Sequence, residues 1–418
     1  MKVFHAPRFT QRKDTMNTTN PINPLNNRRN LLILAFTMVV IMLGFGMVMP
    51  IMPFYIDKMG ATGSDLGWLV AVYSLMQLIF APVWGSVSDR VGRKPVLMLG
   101  ITGYAIFLIL FGLATQFWML FLARSLAGIL SSATYPSMMA FVSDSTTPEE
   151  RGGGMGKLGA AMGLGIILGP GIGGWLAGES LALPFFIAAG LALVTLALVG
   201  LFLPESLPAE SRQQTKIHLV SPRSLWQALH SPIGILLFMA FLVSFGLTSF
   251  EGIFGLYALQ KFEYGTEQVG TIMVVVGLVA ALVQGALIGP LTKRWGEPFV
   301  IKLSLLGSSA GFLLMLLATN YATVLLTTGF FVLTVSLLRP AVASLTSQRA
   351  TTGQGAALGL NNAFMSLGRI VGPLWAGYLF DMNVNLPYLS GSIIMLVGFF
   401  VGLAQVKPED DVQPVLCK

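Results

Sequence analysis

The sequence predicts an all-α membrane protein of twelve transmembrane helices, arranged as two similar six-helix bundles. Three observations carry that expectation. First, the chain is 54% hydrophobic and 10% charged, whereas soluble domains carry about 25% charged residues. Its mean hydropathy is +0.75, so lipid must be its solvent. Second, the chain repeats itself. GSVSDRVGRK at Gly85–Lys94 returns as GPLTKRWGEP at Gly289–Pro298, 204 positions later, and GIILGPGIGG at Gly165–Gly174 returns as GRIVGPLWAG at Gly368–Gly377, 203 positions later. Two matches at nearly one offset indicate a duplicated unit. Third, apolar runs of about 20 residues, the length that crosses a bilayer, recur throughout the chain.

In order, the first half gives spans at Leu31–Tyr55, Leu66–Val87, Val96–Ala114, Phe117–Val142, Met155–Leu176 and Leu183–Leu203. The second gives Ile233–Leu259, Val269–Leu291, Val300–Ala318, Ala322–Leu345, Ala356–Leu379 and Leu386–Val406. The domain plan that follows is a polar, disordered tail at 1–29, a first bundle at 30–203, a linker at 204–231, a second bundle at 232–406 and a tail at 407–418. The first tail has no apolar core or cleavage site of a signal peptide, and Met16 is an alternative start. Arg90, Arg93, Lys94, Arg151, Lys157, Arg212, Lys216, Arg223, Lys293, Arg294 and Arg349 fall on one side of the spans; Lys58 and Lys261 fall on the other, beside acids. The positive-inside rule then places both termini in the cytoplasm. The net charge of +7 is scattered over short loops and forms no nucleic-acid patch. Three histidines and the single cysteine, Cys417, suggest neither a metal site nor an internal disulfide.

Paired bundles around a central site are the architecture of transporters. With no GxxxxGK[ST] fingerprint, ATP drive is not expected, and no cofactor is implied. Glycines and prolines crowd the spans, above all the fifth, with Gly163, Gly165, Gly169, Pro170, Gly171, Gly173 and Gly174. Small residues let helices approach closely in lipid. The stretch is read either as ordinary close packing or as a sliding face between the bundles.

The loop GSVSDRVGRK after span two resembles the signature of the major facilitator superfamily. LARSLAGILSSA (Leu122–Ala133) and GLGIILGPGIGG (Gly163–Gly174) resemble two motifs of its antiporters, and GFGMVMPIMPFYI (Gly44–Ile56) resembles the first span of its twelve-span drug:proton antiporters. SFGLTSFEGIFGLY (Ser244–Tyr257), LLRPAV (Leu337–Val342) and GLNNAFMSLGRIVGPLWAGYLFD (Gly359–Asp381) resemble NorA/Bmr-type multidrug efflux pumps. The first half also resembles tetracycline exporters, but those carry an acid in span one, and none lies between Leu31 and Tyr55. NorA-like pumps carry an acid where this chain has Ser336. The resemblance implies a bacterial plasma-membrane exporter, monomeric and not an enzyme. It would move amphipathic small molecules outward in exchange for protons, with antibiotic resistance as a consequence. A dedicated exporter of one metabolite, lipid or antibiotic on the same scaffold is the alternative. A membrane receptor or enzyme is the reading from another class.

Four charges lie well inside spans: Arg124, Glu251, Arg339 and Arg369. A charge at bilayer depth costs about 2.5–3.5 kcal/mol on insertion scales, so such residues face a bundle interior or a wet cavity. Glu251 is the single acid among them. It is read as the proton carrier, with a static ion pair to Arg369 as the alternative. Arg124 either tunes a carboxyl or bonds backbone carbonyls. Arg339, before Pro340, is read either as satisfying carbonyls that the proline ring leaves unpaired or as belonging with Glu251, Arg124 and Arg369 to the proton-coupling set. The resemblance implies a conformational latch at Gly85, Asp89, Arg90, Gly92 and Arg93, closed by Asp144, and an antiporter motif at Gly165, Gly169, Pro170, Gly173 and Gly174. A polyspecific site is mostly apolar with few fixed polar groups. Its candidates are Phe45, Met49, Tyr73, Gln77, Tyr135, Met138, Phe250, Glu251, Phe254, Tyr257 and Gln284, each of them also a candidate for plain packing.

Overall fold

The computed structural model describes residues 24–212, 221–350 and 353–406. The expected tail at 407–418 and most of the tail at 1–29 lie outside the described residues, as do Lys216 and Cys417. Among the described residues the chain is all helix and turn. The first half comprises α1 (Pro24–Lys58), α2 (Gly63–Val91), α3 (Arg93–Gly112), α4 (Phe117–Ser131), α5 (Thr134–Ser145), α6 (Pro148–Ala177) and α7 (Leu183–Phe202). The linker carries a short 3-10 turn, Ala209–Ser211, and α8 (Pro222–Leu229). The second half comprises α9 (Gly234–Phe262), α10 (Thr266–Leu282), α11 (Ile288–Trp295), α12 (Glu297–Leu316), α13 (Tyr321–Gln348), α14 (Gln354–Met382) and α15 (Leu386–Gln405).

Among the described residues, eleven helices are long and apolar enough to cross a membrane. α14, the expected eleventh span, has 29 residues, about 43 Å of helix. Asn361, Asn362 and Arg369 dilute its apolar character. Most helices outrun the apolar runs because polar residues cap them in the headgroup region. Thr62 and Asp65 form a capping box at the start of α2, Thr147 caps α6 ahead of Pro148, and Asn320 caps α13. Span four is broken into α4 and α5, since Pro136 lacks the N–H that would bond back one turn. Span eight is interrupted by a π turn, Val283–Leu287, that joins α10 to α11. The second glycine of each repeated loop explains itself here. Gly92 has φ 120° and Gly296 has φ 74°, a backbone region open to glycine and strained for other residues.

In the first half α1 packs on α6 and α7, α3 on α7, and α2 on α4; in the second α9 packs on α14, and α12 on α13 and α15. The halves meet along two seams, α2 with α14 and α6 with α10, and α1 touches α9. Both seams close at the end opposite the basic loops. There Gly67 lies against Pro373, Gly377 against Gly63, Gly174 against Gly270, and Gly255 against Pro53. Toward the basic end they splay apart. A methyl added at Gly85 on α2, at Gly355 or Gly359 on α14, at Gly152, Gly156, Gly159 or Gly163 on α6, or at Gly285 or Gly289 beyond α10 would meet no described atom within 4 Å. The molecule is a V that opens toward its basic loops.

Candidate functional site

Arg124 lies inside the V, on the α4 face that also carries Ala127, Gly128 and Ser131. Gly128 lets α2 approach, for a Cβ there would stand 2.7 Å from Tyr73 O. That approach lays the Tyr73 ring over the guanidinium, with the centroid 4.4 Å from Cζ, and Phe45 follows at 5.9 Å. Arg124 is 1% exposed, and its Nε and Nη1 have no hydrogen-bond partner. Neither expected role is realised in this conformation, since no carboxyl and no backbone carbonyl receives these groups. The ring face offsets part of the cost, about 2 kcal/mol for a desolvated cation–π contact. Gln77 Nε2 donates to Tyr73 Oη at 3.0 Å, and Tyr73 Oη lies 3.3 Å from Ser131 Oγ.

Across the V, Glu251 is half-buried at mid-height of α9. Its carboxylate interacts electrostatically with Arg369, but no ion-pair contact joins them. The static-pair alternative is therefore absent here. Arg369 Nη2 donates to Ser366 Oγ at 3.1 Å and feels the charges of Arg339 and Glu251. Arg339 is exposed and bonds no carbonyl among the described residues. The carbonyl contacts expected of it are not made in this conformation.

The binding candidates divide. Phe45, Met49, Tyr73 and Gln77 are half-buried, while Tyr135, at 45% exposure, and Gln284, in the π turn, are open. Met138, Phe250, Phe254 and Tyr257 are not available. Phe250 is 0% exposed and packs on Phe254 and Phe331. Tyr257 stacks 4.2 Å from the Tyr388 centroid and donates to Met315 O. Side chains sealed this way line no space that a water molecule enters, so in this conformation they are core. Their aromatic spacing along span seven serves the interior of the second half.

At the basic end, Arg93 Nη1 bonds Asp89 Oδ1 at 2.5 Å and Arg93 Nε bonds Asp144 Oδ2 at 3.0 Å. Glu205, in the loop after α7, accepts from Arg93 N at 2.8 Å and Lys94 N at 3.2 Å. It caps the first turn of α3, where free N–H groups favour an anion. The second copy of the loop has another chemistry: Glu297 Oε1 accepts from Ser344 Oγ at 2.9 Å and Gln348 Nε2 at 3.0 Å.

The model of the Major Facilitator Superfamily matches residues 34–350 and 236–415. The chain belongs to the major facilitator superfamily. It is 34% identical over 389 residues to multidrug resistance protein 2 of Bacillus subtilis, covering 92% of this chain and 97% of that one. It is 29% identical to the quinolone resistance protein NorA of Staphylococcus aureus, covering 90% and 96%. Among solved structures, the nucleoside transporter NupG superposes with TM-score 0.75 at 16% identity, covering 91% of this chain and 99% of that one. A bacterial homolog of the human lysosomal transporter Spinster, inward-facing and unoccupied, superposes with TM-score 0.75 at 14% identity, covering 93% and 99%. As a superfamily member the chain is a multi-pass membrane transporter of small molecules and not an enzyme.

In this superfamily member the glycines of span five do not form one sliding face. Gly165, Gly169 and Gly173 lie four residues apart on one stripe and meet α1 of their own half, at Val39 O, Leu43 O and Met47. Gly174, Gly171 and Pro170 lie on a second stripe that meets Thr266, Gly270 and Val274 of α10. Helical spacing separates the two stripes by about a quarter turn, so the motif serves both an internal contact and a seam. Glu205 escaped the sequence reading because it lies in a loop; the Pro-Glu-Ser after span six was its one signal.

Proposed function

We propose that this chain exports amphipathic drugs from the cytoplasm in exchange for protons, by alternating access across the two seams. The basic loops mark the cytoplasmic end, so the V opens to the side where substrate is collected. Glu251 carries the reading: it is the single acid well inside a span, half-buried, and it makes no ion-pair contact. Its carboxyl loses a proton toward the cytoplasm and regains one from outside in each cycle. The similarity to proteins named for multidrug and quinolone resistance supports the drug class. Phe45, Met49, Tyr73, Gln77, Tyr135 and Gln284 are the residues proposed to meet substrate, Met49 because thioethers repack around varied shapes. The latch residues Asp89, Arg93 and Asp144 govern exchange between states, and the chain acts as a monomer.

The test is flux in proteoliposomes containing the purified chain, with a pH gradient imposed and several chemically unrelated drugs as substrates. Efflux that follows the gradient and cross-competes among the drugs is expected. Flux of one metabolite alone would establish a dedicated exporter, and no flux at all would return the receptor reading.

A further inference from the structure

Asp381 ends α14 at the closed end of the V, and its carboxylate reaches across the seam to the start of α2. Oδ1 accepts from Gly63 N at 2.6 Å; Oδ2 accepts from Ser64 N at 2.9 Å and from Ser64 Oγ at 2.5 Å. The first N–H groups of a helix have no helical partner, and a carboxylate there also meets the positive end of the helix dipole. The acid native to that turn is engaged elsewhere. Asp65 Oδ2 accepts from Thr62 N at 2.9 Å, while Thr62 Oγ1 accepts from Asp65 N at 3.2 Å. The capping box thus leaves Gly63 and Ser64 to Asp381. The backbones are pressed together here: a Cβ on Gly63 would stand 3.0 Å from Gly377 O, and one on Gly377 would overlap Gly63 O. No residue with a side chain fits at either position without parting the helices.

The second seam has no such contact. Position 177, 204 before Asp381, is Ala177, and the side-chain bond across that seam is between neutral groups, Trp175 Nε1 to Thr271 Oγ1 at 3.3 Å. One seam is therefore joined by a charge and the other by packing.

We propose that Asp381 is a positioning residue of the transport cycle: its carboxylate holds the pathway shut at the end opposite the basic loops and must release α2 each time that end opens. The contact belongs to the closed end alone, because opening the V there withdraws the start of α2 from the end of α14. It biases the equilibrium toward the state that loads substrate from the basic side. Two of the three bonds are solvent-exposed and the third is part-buried, so the bias is moderate, about three- to tenfold in the ratio of the two states, as for a charged group at a helix terminus.

The experiment uses the full chain in lipid nanodiscs, with Cys417→Ser and spin labels at Glu179→Cys and Asn383→Cys, exposed positions at that end, one in each half. Pulsed dipolar spectroscopy reads the distance between them and needs no drug, so its failure is distinct from failure of the export reading. Asp381→Asn should increase the long-distance, open population about three- to tenfold. In flux assays it should lower kcat with little change in KM. Ser64→Ala removes one of the three bonds and keeps the charge, so it should shift the same ratio less. A distance distribution in folded Asp381→Asn identical to that of the parent would overturn the proposal, and so would an equal or larger shift from Ser64→Ala. Should Asp381→Asn fail to fold, the Ser64→Ala distribution decides: no shift there overturns the clasp.

Discussion

The two halves keep one backbone and divide the charge between them. Positions 204 apart fall in equivalent places: Asp89 with Lys293, Arg93 with Glu297, Asp144 with Gln348. In the first half Arg93 gathers two carboxylates, while in the second Glu297 gathers a hydroxyl and an amide. At mid-membrane the asymmetry is reversed. The first half holds Arg124 with no acid beside it, and the equivalent position is Thr328, a buried hydroxyl without a partner. The second half holds Glu251, Arg339 and Arg369, where the first has Met47, Tyr135 and Gly165. Packing residues had to survive duplication, because each half must still assemble its own bundle. Charges were free to specialise, so on the proposed reading the mobile charge belongs to one half and the ionic latch to the other.

The sharpest way to break this division is Glu251→Gln. The amide keeps size and hydrogen bonding but carries no proton. Export driven by a pH gradient should fall to the level of empty liposomes while drug binding persists. The component driven by membrane potential, about 2.3 kcal/mol per charge per 100 mV, should vanish with it. Full gradient-driven flux would leave Asp65, Asp89 or Asp144 as carriers and would put the proton in the first half.

Next in size are two substitutions on α6 that separate internal packing from the seam. Gly169→Leu drives a side chain into Leu43 O of α1, and overpacking of this kind costs about 1–3 kcal/mol or more. The variant should lose thermal stability and accumulate poorly. Gly174→Leu is aimed instead at Thr266 and Gly270 of α10. It should insert and fold, yet stop transport by holding the seam apart. Equal melting temperatures for the two variants would contradict the two-stripe reading.

That contrast also marks how far the sequence was legible. Apolar length and the 204-residue offset gave the helices and the fold, because lipid leaves few other solutions for such runs. Spacing alone did not say which neighbour each stripe meets. Gly165 and Gly174 sit in one motif yet face different helices, and that assignment depends on how α1 and α10 flank α6. The aromatics Phe250, Phe254 and Tyr257 failed for a related reason: a helix contacted on nearly every side gives no periodic sign of its cavity face. Asp381 and Glu205 were invisible as sites because their partners are backbone N–H groups, which any sequence supplies.

A smaller effect compares the two loop copies. Asp89→Asn removes one of two carboxylates from Arg93 and should slow turnover severalfold with KM nearly unchanged, because the defect lies in exchange between states. Glu297→Gln keeps an acceptor for Ser344 and Gln348 and should change turnover by less than about twofold, because its half-buried side chain keeps its size and both bonds. Equal defects in initial-rate efflux would mean that both copies act as latches.

The smallest expected change concerns the charge of the substrate. Ser336 lies one turn before Arg339 on α13 and is buried. With one acid against Arg124, Arg339 and Arg369 at mid-membrane, the compartment repels a dication and tolerates neutral or zwitterionic compounds, since like charges in a low-dielectric site repel strongly. Ser336→Asp supplies a second negative group. Because Ser336 is buried, part of the attraction is spent on desolvating the new charge, so the gain should be modest, about two- to fivefold in efflux of a dicationic drug. Efflux of a neutral drug in the same vesicles should stay within twofold of the parent. A parent chain that already prefers dications would show that the arginines face away from the substrate path, and the charge division between the halves would then be one of structure alone.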